Sequence, residues 1–356
     1  MNRTPVSSAM LLLIGTVGVL TLTTVLAPAP ARAGTDDPAG SDDPQAVALL
    51  SRAAVALHRT SYTGTRVVST WGGDYSATVL VDVKHVAGQG TLLSMRGGGV
   101  DDDTAAFLAA GDGDSPQRPE FGVDSLVLLT RSYDVWTAER GQVAGRPSRV
   151  VAIGRDGSVV ARIWVDEASG LPLRREVFDA GGRLAVESAF IDLTVDDESF
   201  ISHLPPSRPD EEAQQVGRDQ LPELQSRGYA CPSTVGTLQL VDIERVASSK
   251  ALHMSYSDGL SRVSVFEQRG SLDAAAVEGY ERTEIRGAEV YVREGMPSYA
   301  VWESHGTVYT VVSDAPLDTI GAVVRSYPHE ADPQPGFWGR VGGGFARMGA
   351  WVTPVL

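Results

Sequence analysis

Several groups in this chain have side chains that could do chemistry. They are Ser304 beside His305, the single Cys231, the carboxylate pairs Asp166-Glu167 and Glu281 with Glu284, and two aspartate-rich loops. Acyl transfer needs a nucleophile, a base and an orienting acid brought to one point. Ser304-His305-Gly306 reads instead as a turn between two strands, and no Gly-x-Ser-x-Gly elbow occurs. Cys231 precedes Pro232 and has no basic neighbour in sequence to lower its pKa, so it reads as a quiet structural thiol. The six histidines form no His-Glu-x-x-His or His-x-x-x-His pair for zinc. Asp112-Gly113-Asp114 starts like a calcium loop, but the twelfth position is Val123 where that loop needs glutamate. With Asp101-Asp102-Asp103 it reads as solvated acidic loop. The carboxylate pairs follow no recognisable acid–base spacing and read as surface charge. The expectation is a protein without catalytic residues, metal or cofactor. Function must be sought in binding.

The elements that would carry a binding surface are clearest from Arg146 to Val195. Strands over Arg149–Ile153, Val159–Val165, Leu173–Phe178 and Leu184–Leu193 are separated by turns at Asp156-Gly157, Ser169–Pro172 and Ala180–Gly182. Leu173, Arg175 and Val177 share one face, and Arg174, Glu176 and Phe178 the other. This pattern predicts an antiparallel meander with one face against a core and the other mostly wet. Upstream, Asp43 as N-cap and Pro44 at the first helical position open a helix that should end near His58–Thr60, with Val47, Leu50, Ala54 and Leu57 on one face. Strands follow to Thr70, over Tyr75–Val83 and over Val86–Arg96. An apolar segment, Val123–Leu129, then precedes a strand over Tyr133–Glu139.

The N-terminus reads as a secretory signal peptide. Arg3 precedes an apolar run from Met10 to Leu26, and Ala31-Arg32-Ala33 fits a cleavage site. Losing residues 1–33 removes Arg3 and Arg32 and takes the formal charge from −15 to −17. So acidic a chain is a poor candidate for binding nucleic acid or an anionic membrane surface. A single cysteine leaves core packing to supply stability.

His203 to Glu212, rich in proline and charge, reads as an interdomain strap. The expected organisation is a signal peptide at 1–33, a first domain at 34–204, a linker at 205–220, a second domain at 221–328 and a tail at 329–356. In the second domain, Leu252–Tyr256 and Leu260–Glu267 flank an Asp258-Gly259 turn. Ala300–Glu303 pairs with Thr307–Val312, and Thr319–Tyr327 closes as a helix. In the tail, Phe337, Val341, Phe345, Met348 and Val352 recur at helical spacing, flanked by Trp338 and Trp351. Gly342, Gly343 and Gly344 each cost such a helix about 1 kcal/mol. Phe337, Trp338, Val341, Phe345, Met348 and Trp351 are therefore expected to order only when covered, by a membrane interface, a partner groove or the second domain.

Five stretches of residues carry a resemblance. Val143-Ala144-Gly145-Arg146-Pro147, Ile163-Trp164-Val165-Asp166-Glu167 and Gly170-Leu171-Pro172-Leu173-Arg174 resemble the N-terminal domain of the RseB/MucB family, as does Ser61-Tyr62-Thr63-Gly64-Thr65 after the first helix. The run from Tyr256 to Phe266 resembles that family's C-terminal domain. The Leu-Pro-Leu-Arg pattern alone is shared with LolA-type lipoprotein carriers. The resemblance implies an α+β protein: a LolA-like curved antiparallel half-barrel with covering helices, followed by a smaller α+β domain. It also implies an exported, periplasmic or extracytoplasmic regulator that binds the outer part of a transmembrane anti-sigma factor, shields it from proteolysis, and responds to lipid or another amphiphile. The alternative is a lipid or lipoprotein carrier of the LolA type, which would lack the second domain. An apolar ligand cavity is expected between the first helix and the sheet, lined by Tyr75, Val79, Val81 and Trp164.

Overall fold

The computed structural model describes residues 42–73, 75–96, 105–109, 122–195, 213–246, 251–295 and 297–329. The segment expected as a signal peptide, the acidic loops, most of the strap and the tail residues Phe337–Trp351 lie outside the described residues.

Helix α1 spans Pro44–Arg59, ending within the expected range His58–Thr60. Asp43 caps it through a 2.8 Å bond from the Gln45 N–H, and its other oxygen accepts from the Thr137 N–H and hydroxyl. One carboxylate therefore starts the helix and ties it to the sheet. The sheet comprises β1 (Tyr62–Gly72), β2 (Tyr75–Val86), β3 (Gly90–Arg96) and β4 (Ala105–Ala109). After helix α2 (Val123–Ser132) come β5 (Asp134–Val143), β6 (Arg146–Arg155), β7 (Ser158–Asp166), β8 (Pro172–Phe178) and β9 (Leu184–Val195). These nine strands form one open sheet in the order β4-β3-β2-β1-β9-β8-β7-β6-β5, the half-barrel expected from the sequence. The single strand expected over Val86–Arg96 is corrected. β2 itself runs to Val86, and Gly88 and Gly90, both at positive φ, carry a tight turn into β3.

Both helices pack on one face of the sheet. Ala46, Leu50 and Ala53 of α1 and Leu129 of α2 are fully buried against Val151, Ile153 and Ala161, which are equally buried. The alanines remove bulk, so the helix axis sits close to the sheet and the contact is side chain on side chain. These residues form a packed core beneath the two helices. The opposite face is not mostly wet, which corrects the sequence reading. Glu176 and Phe178 are 6% and 4% exposed. Glu176 lies between Arg174 (2.5 Å) and Arg162 (3.9 Å), Glu187 takes a second bond from Arg174, and Arg162 covers the Phe178 ring.

Within the stretch expected as a linker, Ala213–Gln215 forms strand β10 and pairs with the second sheet. Helix α3 (Leu221–Ser226) and the short β11 (Thr234–Val235) follow. Next come β12 (Leu238–Val246), β13 (Ala251–Ser257), β14 (Arg262–Arg269), β15 (Glu281–Ile285), β16 (Ala288–Arg293), β17 (Ser298–Ser304), β18 (Thr307–Ser313) and helix α4 (Leu317–Arg325). The sheet order is β10-β12-β13-β14-β18-β17-β16-β15, with β11 beside β12. Leu238, Val265, Trp302 and Val311 of the sheet and Val323 of α4 are fully buried in one core. Trp302 is sandwiched by Tyr309 and His329 at centroid distances of 5.1 and 5.2 Å, and its indole N–H donates to the Pro328 carbonyl. That bond fixes the chain leaving α4. No helix among the described residues is long and apolar enough to cross a membrane.

Candidate functional site at the seam between the two domains

The Asp258-Gly259 turn joins β13 to β14, and the sequence places it at a hairpin tip, where solvent is the default. The structure buries it: Asp258 is 3% exposed, and Ser257 and Ser261 are 6% and 7%. The turn is built locally. The Asp258 carboxylate accepts the N–H groups of Leu260 and Ser261 at 3.0 and 2.8 Å, and the Ser257 hydroxyl accepts from Gly259 and donates to the Ser261 carbonyl. Gly259 adopts φ +88°, which favours glycine.

What the turn meets belongs to the first domain. The Tyr133 hydroxyl donates to the second oxygen of Asp258 at 2.5 Å. Burial, then the Asp258 charge, hold the Tyr133 phenol well above its ordinary pKa, so it remains a donor at every physiological pH. Arg155 lies 4.1 Å over the Tyr133 ring and donates to the Ser132 carbonyl, which locks the phenol in place. A Cβ on Gly259 would overlap the Ser125 carbonyl oxygen and the Leu129 N–H of α2 and come within 2.7 Å of the Leu129 Cβ. The backbone of the turn therefore rests directly on α2. Leu260 packs against the core beneath α1 and α2, and the Arg175 guanidinium reaches its carbonyl at 2.5 Å and Asp314 at 3.6 Å.

Two further contacts complete the seam. A Cβ on Gly72 would lie 2.7 Å from the Leu317 side chain, and Asp318 accepts the Ala180 N–H at 2.9 Å. Between these contacts is a cavity of about 20 Å³, the size of one water, with Thr70, Val186, Glu294, Ser298 and Asp314 on its walls. These contacts hold the two sheets in one arrangement.

Of the cavity residues named from the sequence, Val79, Val81 and Trp164 belong to one apolar cluster with Ala56 and Leu57 of α1, and Tyr75 lies apart from it. Val81 is fully buried in the sheet interior, Val79 is partly buried beside it, and Tyr75 is 38% exposed at the mouth of the seam. Trp164 points to the opposite face from Ile163 and Val165. It lies under Arg174 at 4.8 Å and against Gly141, whose Cβ would sit 2.7 Å from the indole.

Residues read as candidate chemistry resolve plainly. His305 and Gly306, both at positive φ, form the two-residue turn between β17 and β18. Cys231 is 3% exposed, and burial with the nearby Glu267 pushes its thiol up to about 12. Glu281 and Glu284 are exposed on β15. Asp166 is corrected: it is 1% exposed. Its burial acts upward, but bonds from Arg146 and Ser169 outweigh that and hold its carboxyl below the usual range.

One arrangement escaped the sequence reading. On β12, β13 and β14, His253 has Glu244 at 3.4 Å on one ring nitrogen and the Ser264 hydroxyl at 3.0 Å on the other. These are the distances of a hydrolytic triad. β14 is paired on both sides, however, so the backbone amides that would have to hold an oxyanion at Ser264 are engaged in ladders. The ring is stacked on Phe266 at 4.4 Å. The cluster reads as a cross-strand hydrogen-bond chain, which Gln215 of β10 extends through its 2.7 Å bond to Glu244. No group of three or more metal-ligating side chains occurs among the described residues.

The described residues thus form a half-barrel sheet clasped to a second antiparallel sheet. Residues 107–222 match the sequence model of the MucB/RseB N-terminal domain. No curated protein matches the chain. Among solved structures, MucB in the MucA/MucB complex of Pseudomonas aeruginosa is 19% identical with a TM-score of 0.44. The match covers 81% of this chain and 100% of that one. A structure of MucB alone is 21% identical with a TM-score of 0.47, over 81% of this chain and 98% of that one. A LolA superfamily protein from Nitrosomonas europaea is 9% identical with a TM-score of 0.20, over 76% of this chain and 91% of that one.

Proposed function

We propose that this protein is an exported regulator that binds the extracytoplasmic part of a transmembrane anti-sigma factor and thereby restrains an envelope-stress sigma factor. The observation that carries the reading is the family match over residues 107–222. It includes α2, Tyr133 and β8, which grip the second domain. MucB, the relative, has been crystallised with MucA(peri). The Tyr256–Phe266 run, which resembles the family's C-terminal domain, forms the other half of the seam. Export follows from the apolar run ending in Ala31-Arg32-Ala33.

The second reading, a lipoprotein carrier, needs a hollow for acyl chains. The packed core beneath α1 speaks against it, and a response to lipid is left out of the proposal for the same reason. The test is co-purification of the tagged protein from detergent-solubilised envelopes, with mass spectrometry of the bound proteins and lipids. Deleting the gene is expected to raise the regulon of one extracytoplasmic sigma factor without stress. Recovery of lipid with no membrane anti-sigma protein, and an unchanged regulon, would overturn the proposal.

A further inference from the structure

The second sheet ends in an open edge. Among the described residues, strand β15 pairs with β16 alone, and Glu281, Arg282, Thr283 and Glu284 are all exposed. The Arg286-Gly287 turn, with both residues at positive φ, makes Ile285 and Ala288 a hydrogen-bonded pair. Alternation along the ladder then points the N–H and C=O groups of Thr283 and Glu281 at β16 as well. Arg282 and Glu284 present theirs to the open edge. Their side chains share one face, and Arg282 reaches diagonally to Glu289 of β16. Glu284 stands directly opposite Glu289, so like charges meet across the strand pair.

Charges on an edge strand ordinarily guard it against pairing. Here they complement the same strand turned about a two-fold axis. An antiparallel copy must set outward-facing residues opposite one another, which restricts the centre to Arg282, Thr283 or Glu284. Centring on Arg282 sets arginine against arginine, and centring on Glu284 sets glutamate against glutamate. Centring on Thr283 sets Arg282 of each copy opposite Glu284 of the other. Backbone bonds then run in both directions at each such pair, and each Glu284 gains a cation on the side away from Glu289. We infer that β15 is a self-recognition edge, through which two copies of this chain join antiparallel with Thr283 at the two-fold axis. A strand of five residues buries less than a standard interface, so the dimer is weak and concentration-dependent. The inference rests on β15 alone and is independent of the proposed function.

Sedimentation velocity on the full chain, from the micromolar to the millimolar range, is expected to show a monomer–dimer equilibrium. Arg282→Glu and Glu284→Arg each set like charges across the two-fold axis, and each is expected to weaken dimerisation at least about tenfold. Combining them restores opposite charges and is expected to restore the wild-type equilibrium. Thr283→Cys locates the contact, because the two-fold axis sets this residue against its own counterpart in a closely spaced pair. The one native thiol, Cys231, is buried, so oxidation of this variant with diamide is expected to give a disulfide-linked dimer through position 283. Circular dichroism and urea midpoints verify that each variant is folded, as its exposed position leads one to expect. Where a charge reversal disturbs β15, the Thr283→Cys result decides alone. A chain that stays monomeric over the whole range overturns the inference. So do single variants that dimerise like wild type, a folded double variant that stays monomeric, or a Thr283→Cys chain that yields no covalent dimer.

Discussion

Glu267 is expected to make the second domain lose stability as pH rises. It lies on β14, fully buried, with one oxygen accepting the Ala230 N–H at 2.9 Å and the other without a hydrogen-bond partner among the described residues. Cys231, Tyr256, Tyr309 and Tyr327 surround it, and Arg269 is the cation whose charge opposes the shift. Burial raises its carboxyl from 4.5 to about 8. The folded state therefore holds a proton that the unfolded chain releases near pH 4.5. The stabilisation is complete below that pH and is lost as pH climbs through about 8. At 1.4 kcal/mol per unit, a shift of this size corresponds to about 5 kcal/mol between pH 4 and pH 9. Glu267→Gln keeps the shape and the acceptor for Ala230 but cannot ionise. Chemical denaturation at pH 5, 7 and 9 is expected to show the variant near wild type at pH 5 and several kcal/mol more stable at pH 9. Parallel stability curves for the two proteins, or a variant weaker at every pH, would refute the reasoning.

Three other expectations follow from single residues. Asp43→Ala removes the α1 cap and both bonds to Thr137, and is expected to cost about 1–2 kcal/mol in urea unfolding. Asp166→Ala strands the Arg146 guanidinium and opens the Ser169 turn, at about 3–5 kcal/mol by the same assay. Because the Asp166 carboxyl is held below its usual pKa, its contribution is present above about pH 4 and lost as pH falls further, so acid unfolding is expected to begin at higher pH in the variant. Cys231 is expected to resist thiol reagents in the native protein at pH 8 and to react at once in urea, since burial disfavours its thiolate.

The features legible in the sequence are those governed by neighbours along the chain. Asp43-Pro44 starts α1 because a carboxylate cap and a fixed φ act within one turn. Asp156-Gly157 makes a two-residue hairpin because both residues accept positive φ, 52° and 76°. The alternation of Leu173, Arg175 and Val177 is a backbone period and survives intact. Where the reading fell short, a residue far away in sequence decided. Val123–Leu129 is too short an apolar run to distinguish helix from strand, and it becomes α2 where Leu126 and Leu129 meet α1 and the sheet. Ala213–Gln215 looks like strap until β12 lies beside it.

Asp166 and Glu176 resemble other surface carboxylates in sequence, yet Arg146 in one case and Arg162 with Arg174 in the other are folded over them. The Asp258-Gly259 turn shows the division most clearly. Its conformation was written in Ser257, Asp258 and Gly259, because hydrogen bonds across two or three residues and a glycine φ are local. Its burial was not. Whether a hairpin tip meets water or Tyr133 and the backbone of α2 depends on how two separately folded sheets come together, and only the tertiary structure settles that contact.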